Sequence, residues 1–252
     1  RDDWRSNVPR FSLYARDIET FMREVVLPDC PPPYLALGHS MGGAILLRAL
    51  SRHLWFDRAV LTSPMIDVNT GRWPPVLARL VAHGLAALGL GDLYAPGRLH
   101  RPLRASDYDG NELTSDRRRF LRDTATLAAG PRRRRCGDVG RLGLGGPTIG
   151  WLSAAFRVID GLRRMPAAAR PLTPVLIVAA GAERITSTPA CQAFAARVPK
   201  VACVVLPRAR HEILFETDDI RAQFWAAFDS FMAAPPGEAG LTQAAMTAIA
   251  SA

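Results

Sequence analysis

Ser40 stands at the centre of Gly38-His39-Ser40-Met41-Gly42-Gly43, between the apolar run Tyr34-Leu35-Ala36-Leu37 and the helix-like run Ala44-Ile45-Leu46-Leu47-Arg48-Ala49-Leu50. The order is strand, sharp turn, helix, with a serine at the apex. A G-x-S-x-G sequence in this setting reads as a nucleophile elbow, because small residues let the backbone take a strained turn that lifts the hydroxyl above a sheet. The backbone N–H of Met41, at the helix start, would then face a developing oxyanion. The alternative without chemistry is a glycine-rich turn whose serine only caps the helix.

A serine hydroxyl is a poor nucleophile unless an imidazole removes its proton, and the imidazole needs a carboxylate to fix its tautomer. The chain has five histidines. His39 adjoins the serine, and neighbours in an elbow point in different directions, which makes it a poor base. His53 closes the helix after the elbow, a place where histidine settles the C-terminal dipole. His83 has a helix-face reading and His100 a loop reading. His211 follows the strand-like run Val201-Ala202-Cys203-Val204-Val205-Leu206 and the loop Pro207-Arg208-Ala209-Arg210, where the chain order serine, acid, histidine puts the base. The acid should lie just past an earlier strand. Glu183 does so, two residues beyond the strand Pro174-Val175-Leu176-Ile177-Val178-Ala179-Ala180-Gly181, and Asp67, after Ala59-Val60-Leu61-Thr62, competes with it. Glu183 is preferred for its position one helix and one strand before His211. Its bland alternative is a solvated loop carboxylate beside Arg184, and Glu212 reads as a surface or local hydrogen-bonding group.

The chain resembles the serine α/β-hydrolases of the bacterial lysophospholipase and monoacylglycerol lipase group. The resemblance rests on four stretches: Tyr14 to Gly43, Gly145-Gly146-Pro147-Thr148-Ile149-Gly150-Trp151-Leu152, Thr173 to Arg184, and Arg210-His211-Glu212-Ile213-Leu214-Phe215-Glu216. It implies an α/β-hydrolase fold of mainly parallel sheet, with Ser40 as nucleophile, His211 as base and Glu183 as acid. Aspartate is usual at the acid position, so the glutamate is a departure. A second departure is upstream. Such a fold needs several strands and a His-Gly type loop, carrying the other oxyanion donor, ahead of the elbow. Here Phe11 to Val26 has apolar residues at helical spacing, and the proline-rich Leu27 to Pro33 leads straight into the elbow strand. The expectation is that the chain is the C-terminal portion of a longer protein.

The span between the strands at Ala59 and Val175 exceeds what a parallel crossover needs by roughly seventy residues or more, so a helical cap is expected there. The expected division is 1–66 and 171–232 for the core, 67–170 for the cap and 233–252 for a weakly structured tail. Helices are predicted over Pro74 to Leu85, Arg117 to Ala129 and Trp151 to Leu162, with an arginine loop at Gly130 to Gly137. Trp151 reads as cap core or as a contact for an acyl chain.

With 252 residues and 48% hydrophobic content the chain can bury a substantial core. No stretch is apolar and long enough for a membrane span. Cys30, Cys136, Cys191 and Cys203 have neither metal-ligand nor dense disulfide spacing and read as ordinary thiols. The net charge is +9, and every basic residue except Lys200 is arginine. Codon bias accounts for part of this, and attraction to anionic membrane surfaces is the functional reading. Nucleic acid is disfavoured because aromatics do not interleave with the basic runs.

These features together predict a serine ester hydrolase that cleaves lysophospholipids or monoacylglycerols through an acyl-enzyme, with no metal or organic cofactor. The expected setting is the cytoplasm, with peripheral membrane contact. The runner-up is a non-catalytic α/β-hydrolase-like binding protein or inactive fragment, and a peroxidase-like or carbon–carbon bond hydrolase is less favoured.

Overall fold

A computed structural model of the protein describes residues 5–96, 101–128, 145–166, 171 and 173–235. The arginine loop at 130–137, His100, Cys136 and all but the first residues of the C-terminal tail lie outside these described residues.

The described chain divides into two compact units. One comprises Ser12–Asn69, Glu112–Ser115 and the chain from Val158 onward. Its centre is a four-stranded parallel sheet, β1 (Leu35–His39), β2 (Arg58–Thr62), β3 (Val175–Ala180) and β4 (Val201–Leu206), ordered as numbered. Each strand is short and apolar. β2 and β3 are buried along their whole length, as a parallel sheet covered on both faces requires. On β1, Ala36 points inward while Leu35 and Leu37 are half exposed.

Helices supply the covering layers. In the stretch predicted as one helix, α1 (Ser12–Phe21) runs on through a single wide turn (Met22–Val26) into α2 (Leu27–Asp29). It stops there because Pro31, Pro32 and Pro33 cannot continue a helix. α3 (Met41–Leu50) follows the elbow and buries Ala44, Ile45, Leu47, Ala49 and Leu50, an almost continuous apolar surface suited to the interior. After the long excursion between β2 and β3, α7 (Thr188–Arg197) begins at Ser187, whose side chain accepts from the Ala190 N–H. The last helix, α8 (Asp218–Ala233), starts with two acids that suit the positive end of its dipole. It lays Ile220, Phe224, Ala227 and Phe231 on Val178, Ala180, Val204 and Leu206 in one apolar cluster. Each fully buried side chain of that size contributes about 1.5–3 kcal/mol.

The other unit takes the chain up to Phe11 together with Thr70–Asn111 and Asp116–Arg157. It contains α4 (Pro75–Ala87), α5 (Arg117–Ala128) and most of α6 (Ile149–Arg163). These are close to the helices expected from periodicity. The Gly145 to Trp151 run is a backbone knot. Thr148 N–H donates to the Ser6 carbonyl at 3.2 Å and Gly150 N–H to the Gly91 carbonyl at 2.8 Å. A Cβ on Gly150 would lie 3.0 Å from the Gly91 oxygen, so glycine is needed for this close approach. Trp151 packs against Phe11 with ring centroids 5.7 Å apart, and His83 meets the Ser153 hydroxyl at 2.9 Å.

The elbow glycines divide differently from the G-x-S-x-G pattern. A Cβ on Gly38 would come within 2.6 Å of Leu46 Cδ1, and one on Gly43 within 2.7 Å of Pro64 Cβ, whereas Gly42 has open space. Helix α3 therefore needs Gly43, outside the five-residue motif, to pass Pro64. Gly43→Ala is expected to lower stability by about 1–3 kcal/mol through overpacking. Gly42→Ala should be neutral or stabilising by up to about 1 kcal/mol from helix propensity. Urea denaturation of both variants checks the contrast.

Candidate active site

Ser40 directly follows β1 and precedes the first turn of α3 with φ 48° and ψ −115°. A non-glycine residue with this backbone costs about 1–3 kcal/mol and persists only where its surroundings over-determine it. Here they do. Ser40 N–H donates to the Thr62 carbonyl at 2.9 Å, and the Ser40 carbonyl accepts from Met65 N–H at 2.9 Å and from Gly43 N–H at 3.1 Å. The side chain makes no capping bond to the helix. Its hydroxyl instead lies 2.9 Å from His211 Nε2.

His211 follows β4, as expected, and is buried with its side chain 5% exposed. Its Nδ1 lies 2.8 Å from Glu183 Oε2. A carboxylate at Nδ1 requires that nitrogen to carry the proton, which leaves Nε2 as an acceptor for the Ser40 hydroxyl. The structure thus brings Ser40, His211 and Glu183 into one hydrogen-bonded line.

Glu183 is not a solvated loop carboxylate. Its side chain is 3% exposed, and every acceptor position has a donor. Oε1 takes the backbone N–H groups of Arg184 (2.9 Å), Ile185 (2.8 Å) and Thr186 (3.2 Å), while Oε2 takes the Thr186 hydroxyl (3.0 Å) beside His211. Burial alone would raise its carboxyl above the usual range. The His211 contact and the backbone donors outweigh burial and hold it down at about 2.

Asp67 goes elsewhere. Its Oδ1 accepts from its own neighbour, Val68 N–H, at 2.9 Å, and its Oδ2 lies 3.5 Å from Arg163. The reason is a pairing of loops. Val68 bridges Thr186, Asn69 N–H donates to the Ile185 carbonyl and Ser187 N–H to the Asp67 carbonyl, so the loop after β2 buttresses the Glu183 turn with its backbone. Gly181 makes the matching approach on the other side. A Cβ there would fall 2.4 Å from the Pro207 oxygen, and Ala182 N–H donates to the Ala209 carbonyl, which ties the Glu183 turn to the His211 loop.

Met41 opens α3, and its N–H has no backbone acceptor among the described residues, leaving it available at the helix N-terminus. Of the remaining histidines, His53 stacks on Trp55 at 3.9 Å. His39 approaches the site more closely than its place in the elbow suggests, with its ring edge-on to His211 at 4.9 Å. Cys191 and Cys203 are free thiols whose ionisation burial opposes, Cys203 being pushed up to about 11.

Three further contributors enter with the structure. Ser63, at φ 43°, donates its hydroxyl to the His211 carbonyl at 2.9 Å. Thr186 adds a side-chain donor to Glu183, and a Glu-x-x-Thr turn after a strand was a readable sign of it. Glu216, fully buried, accepts from Arg210 N–H at 2.8 Å and from Ser115 N–H at 3.0 Å, fastening Glu112–Ser115 to the His211 loop.

A parallel sheet carrying a strained serine at one strand end, with an imidazole and a buried carboxylate on the loops after later strands, defines an α/β-hydrolase. The family model for serine aminopeptidase, S33, matches residues 2–218, and the chain belongs to that family of serine hydrolases. Among curated proteins, lysophospholipase L2 of Escherichia coli K12 is 31% identical over 230 residues, covering 88% of this chain and 64% of its own length. The chain thus spans less than two thirds of that relative. A probable lysophospholipase L2 of Haemophilus influenzae is 24% identical over 230 residues, covering 90% of this chain and 68% of its own. Among solved structures, a soluble variant of the Saccharomyces cerevisiae monoglyceride lipase shares the fold with a TM-score of 0.61, 18% identity and coverage of 88% of this chain and 68% of that one. The Paleococcus ferrophilus monoacylglycerol lipase does so with a TM-score of 0.61, 16% identity and coverage of 87% and 74%.

The depressed carboxyl of Glu183 has a consequence for stability. Because the folded value of about 2 lies below the ordinary 4.5, the ionised form favours the fold. Its contribution, on the order of 3 kcal/mol, is present in full above pH ~4.5 and lost as pH falls toward ~2. Glu183→Gln should flatten that part of the stability–pH curve, measured by urea titration from acid to neutral pH, while Asp67→Asn should leave it steep.

Proposed function

We propose that the protein is a serine ester hydrolase that cleaves lysophospholipids or monoacylglycerols through an acyl-enzyme. The observation that carries this reading is the continuous line Ser40 Oγ, His211 Nε2, His211 Nδ1, Glu183 Oε2, with contacts of 2.9 and 2.8 Å. In this reading His211 Nε2 takes the Ser40 proton as Oγ attacks the ester carbonyl. The Met41 N–H stabilises the oxyanion, and Glu183 stabilises the imidazolium that forms. His211 then returns the proton to the leaving alcohol oxygen. Water, deprotonated by the same imidazole, releases the fatty acid and restores Ser40. Glutamate can replace aspartate because its turn supplies three backbone N–H donors that fix the longer side chain.

The lipid substrate class is supported by the lysophospholipase and monoglyceride lipase relatives. We assign the cap role to the insertion at 67–170 on its length. Peripheral contact with an anionic membrane is supported by the +9 charge and by the exposed apolar face of α4 and its following turn, where Val76, Leu80 and Leu88 are 69, 64 and 76% exposed. No helix among the described residues is long and apolar enough to cross a membrane.

Intact mass after exposure to a fluorophosphonate probe tests the reading. One adduct on folded protein, lost in Ser40→Ala, is the expected result, and a folded protein that takes no adduct would favour a binding role. Ester turnover should fall by about 10³–10⁶-fold in Ser40→Ala and about 10³–10⁴-fold in Glu183→Gln. A panel of lysophosphatidylcholine, monoacylglycerol and peptide anilide identifies the acyl class, with turnover of the anilide alone counting against the lipid reading. In sedimentation with phosphatidylglycerol vesicles, Leu80→Asp should reduce the bound fraction several-fold, whereas equal binding by the variant would remove α4 from the membrane contact.

A further inference from the structure

A second imidazole and a second carboxylate adjoin the first pair and are unused by the mechanism above. His39 and Glu212 immediately precede or follow the residues on which that mechanism rests. His39 Nδ1 lies 3.0 Å from the Thr62 hydroxyl, and its Nε2 lies 3.2 Å from Glu212 Oε1, an off-line electrostatic contact rather than an aligned hydrogen bond. The two side chains are each 31% exposed. The His39 ring meets His211 edge-on, with centroids 4.9 Å apart and planes inclined at 63°. Glu212 is fixed from its backbone as well, since its N–H donates to the Leu113 carbonyl at 2.8 Å.

The geometry points to Glu212 as a second carboxylate that stabilises the imidazolium formed at His211 during turnover, with His39 as the positioning residue that holds Glu212 there. This inference rests on the reading of Ser40 and His211 as nucleophile and base. One neutral tautomer of His39 suits both of its neighbours, with Nδ1 accepting from Thr62 and the protonated Nε2 lying 3.2 Å from Glu212 Oε1 without aligning on it. Burial opposes ionisation of Glu212, but the two imidazoles outweigh it and hold its carboxyl below the ordinary range, while Glu183 pushes the other way. Of the charged groups flanking His211, Glu183 holds its Nδ1 at 2.8 Å, Glu216 accepts from Arg210 N–H at 2.8 Å and Arg210 donates to the Thr114 carbonyl at 3.1 Å. Neither His39 nor Glu212 bonds to the Ser40 hydroxyl, so both act through His211.

The sign follows from the charges. A carboxylate near His211 favours its protonated form, so removing that charge keeps the imidazole neutral, and therefore basic, to lower pH. The test is the rate of fluorophosphonate labelling, and of ester turnover, as a function of pH in wild type, Glu212→Gln, His39→Phe and the double variant. His39→Phe keeps the ring edge against His211 but cannot hold Glu212. Glu212→Gln should move the acidic limb to lower pH by roughly half a unit or more and lower the plateau rate by about 3–30-fold. His39→Phe should move the limb the same way by less, and the double variant should match Glu212→Gln rather than multiply the two losses. A plateau that falls while the limb stays in place, or two losses that multiply, would overturn the inference and leave a packing role. If one single variant does not fold by circular dichroism, the limb in the other decides. Because labelling reports on Ser40 directly, wild-type protein that takes no adduct would instead reject the underlying reading of the site.

Discussion

A carboxylate with its side chain 3% exposed cannot stand in a protein interior without full compensation, and the loops around Glu183 are arranged to provide it. Three backbone N–H groups of its own turn, one threonine hydroxyl and one imidazole converge on two oxygens. That demand shapes the neighbouring chain. The turn from Glu183 to Thr186 must curl back on its side chain, so its Ile185 carbonyl faces outward and accepts from Asn69 N–H, while Ser187 N–H just beyond the turn donates to the Asp67 carbonyl. The loop after β2 therefore closes on the loop after β3 by backbone pairing. The histidine that supplies the last donor must come in from β4, past a glycine that leaves no room for a Cβ.

Ser40 illustrates how strain is held in place. Its positive φ is fixed on one side by the Thr62 carbonyl and on the other by Met65 and the first turn of α3. All of these partners belong to β2, the loop beyond it, or α3. A hydroxyl left free of capping duty is then aimed at an imidazole that was itself oriented by the buried carboxylate. Ser63, also at positive φ, repeats the device one strand over and grips the His211 carbonyl. Backbone strain and buried charge thus meet at one histidine.

The glutamate has its own logic. A side chain one methylene longer than aspartate has more rotamers to lose, and pinning Oε1 with three consecutive N–H groups removes that freedom before the imidazole arrives. The adjacent His39 and Glu212 set a second imidazole and a second carboxylate beside the same ring, with His39 edge-on to His211 at 4.9 Å and 3.2 Å from Glu212.

The primary sequence singled out Ser40, His211 and the Glu183 position, which the structure brings into one hydrogen-bonded line, and it announced the parallel α/β class and most helices. These signals are local: short β-branched runs, a glycine-rich turn between strand and helix, and an acid or histidine a few residues past a strand each declare themselves in a window of about ten residues. Tertiary structure decided the rest. It separated Glu183 from Asp67, since both follow strand ends and only the pairing of their loops shows whose carboxylate turns inward. It moved the steric requirement from Gly42 to Gly43, since Pro64 lies more than twenty residues further along the chain and no local pattern records its approach. It also drew in Ser63, Glu212 and Glu216, whose contacts arise because folding brings distant strand ends together, and whose polar atoms must then find partners in a space from which water has been largely removed.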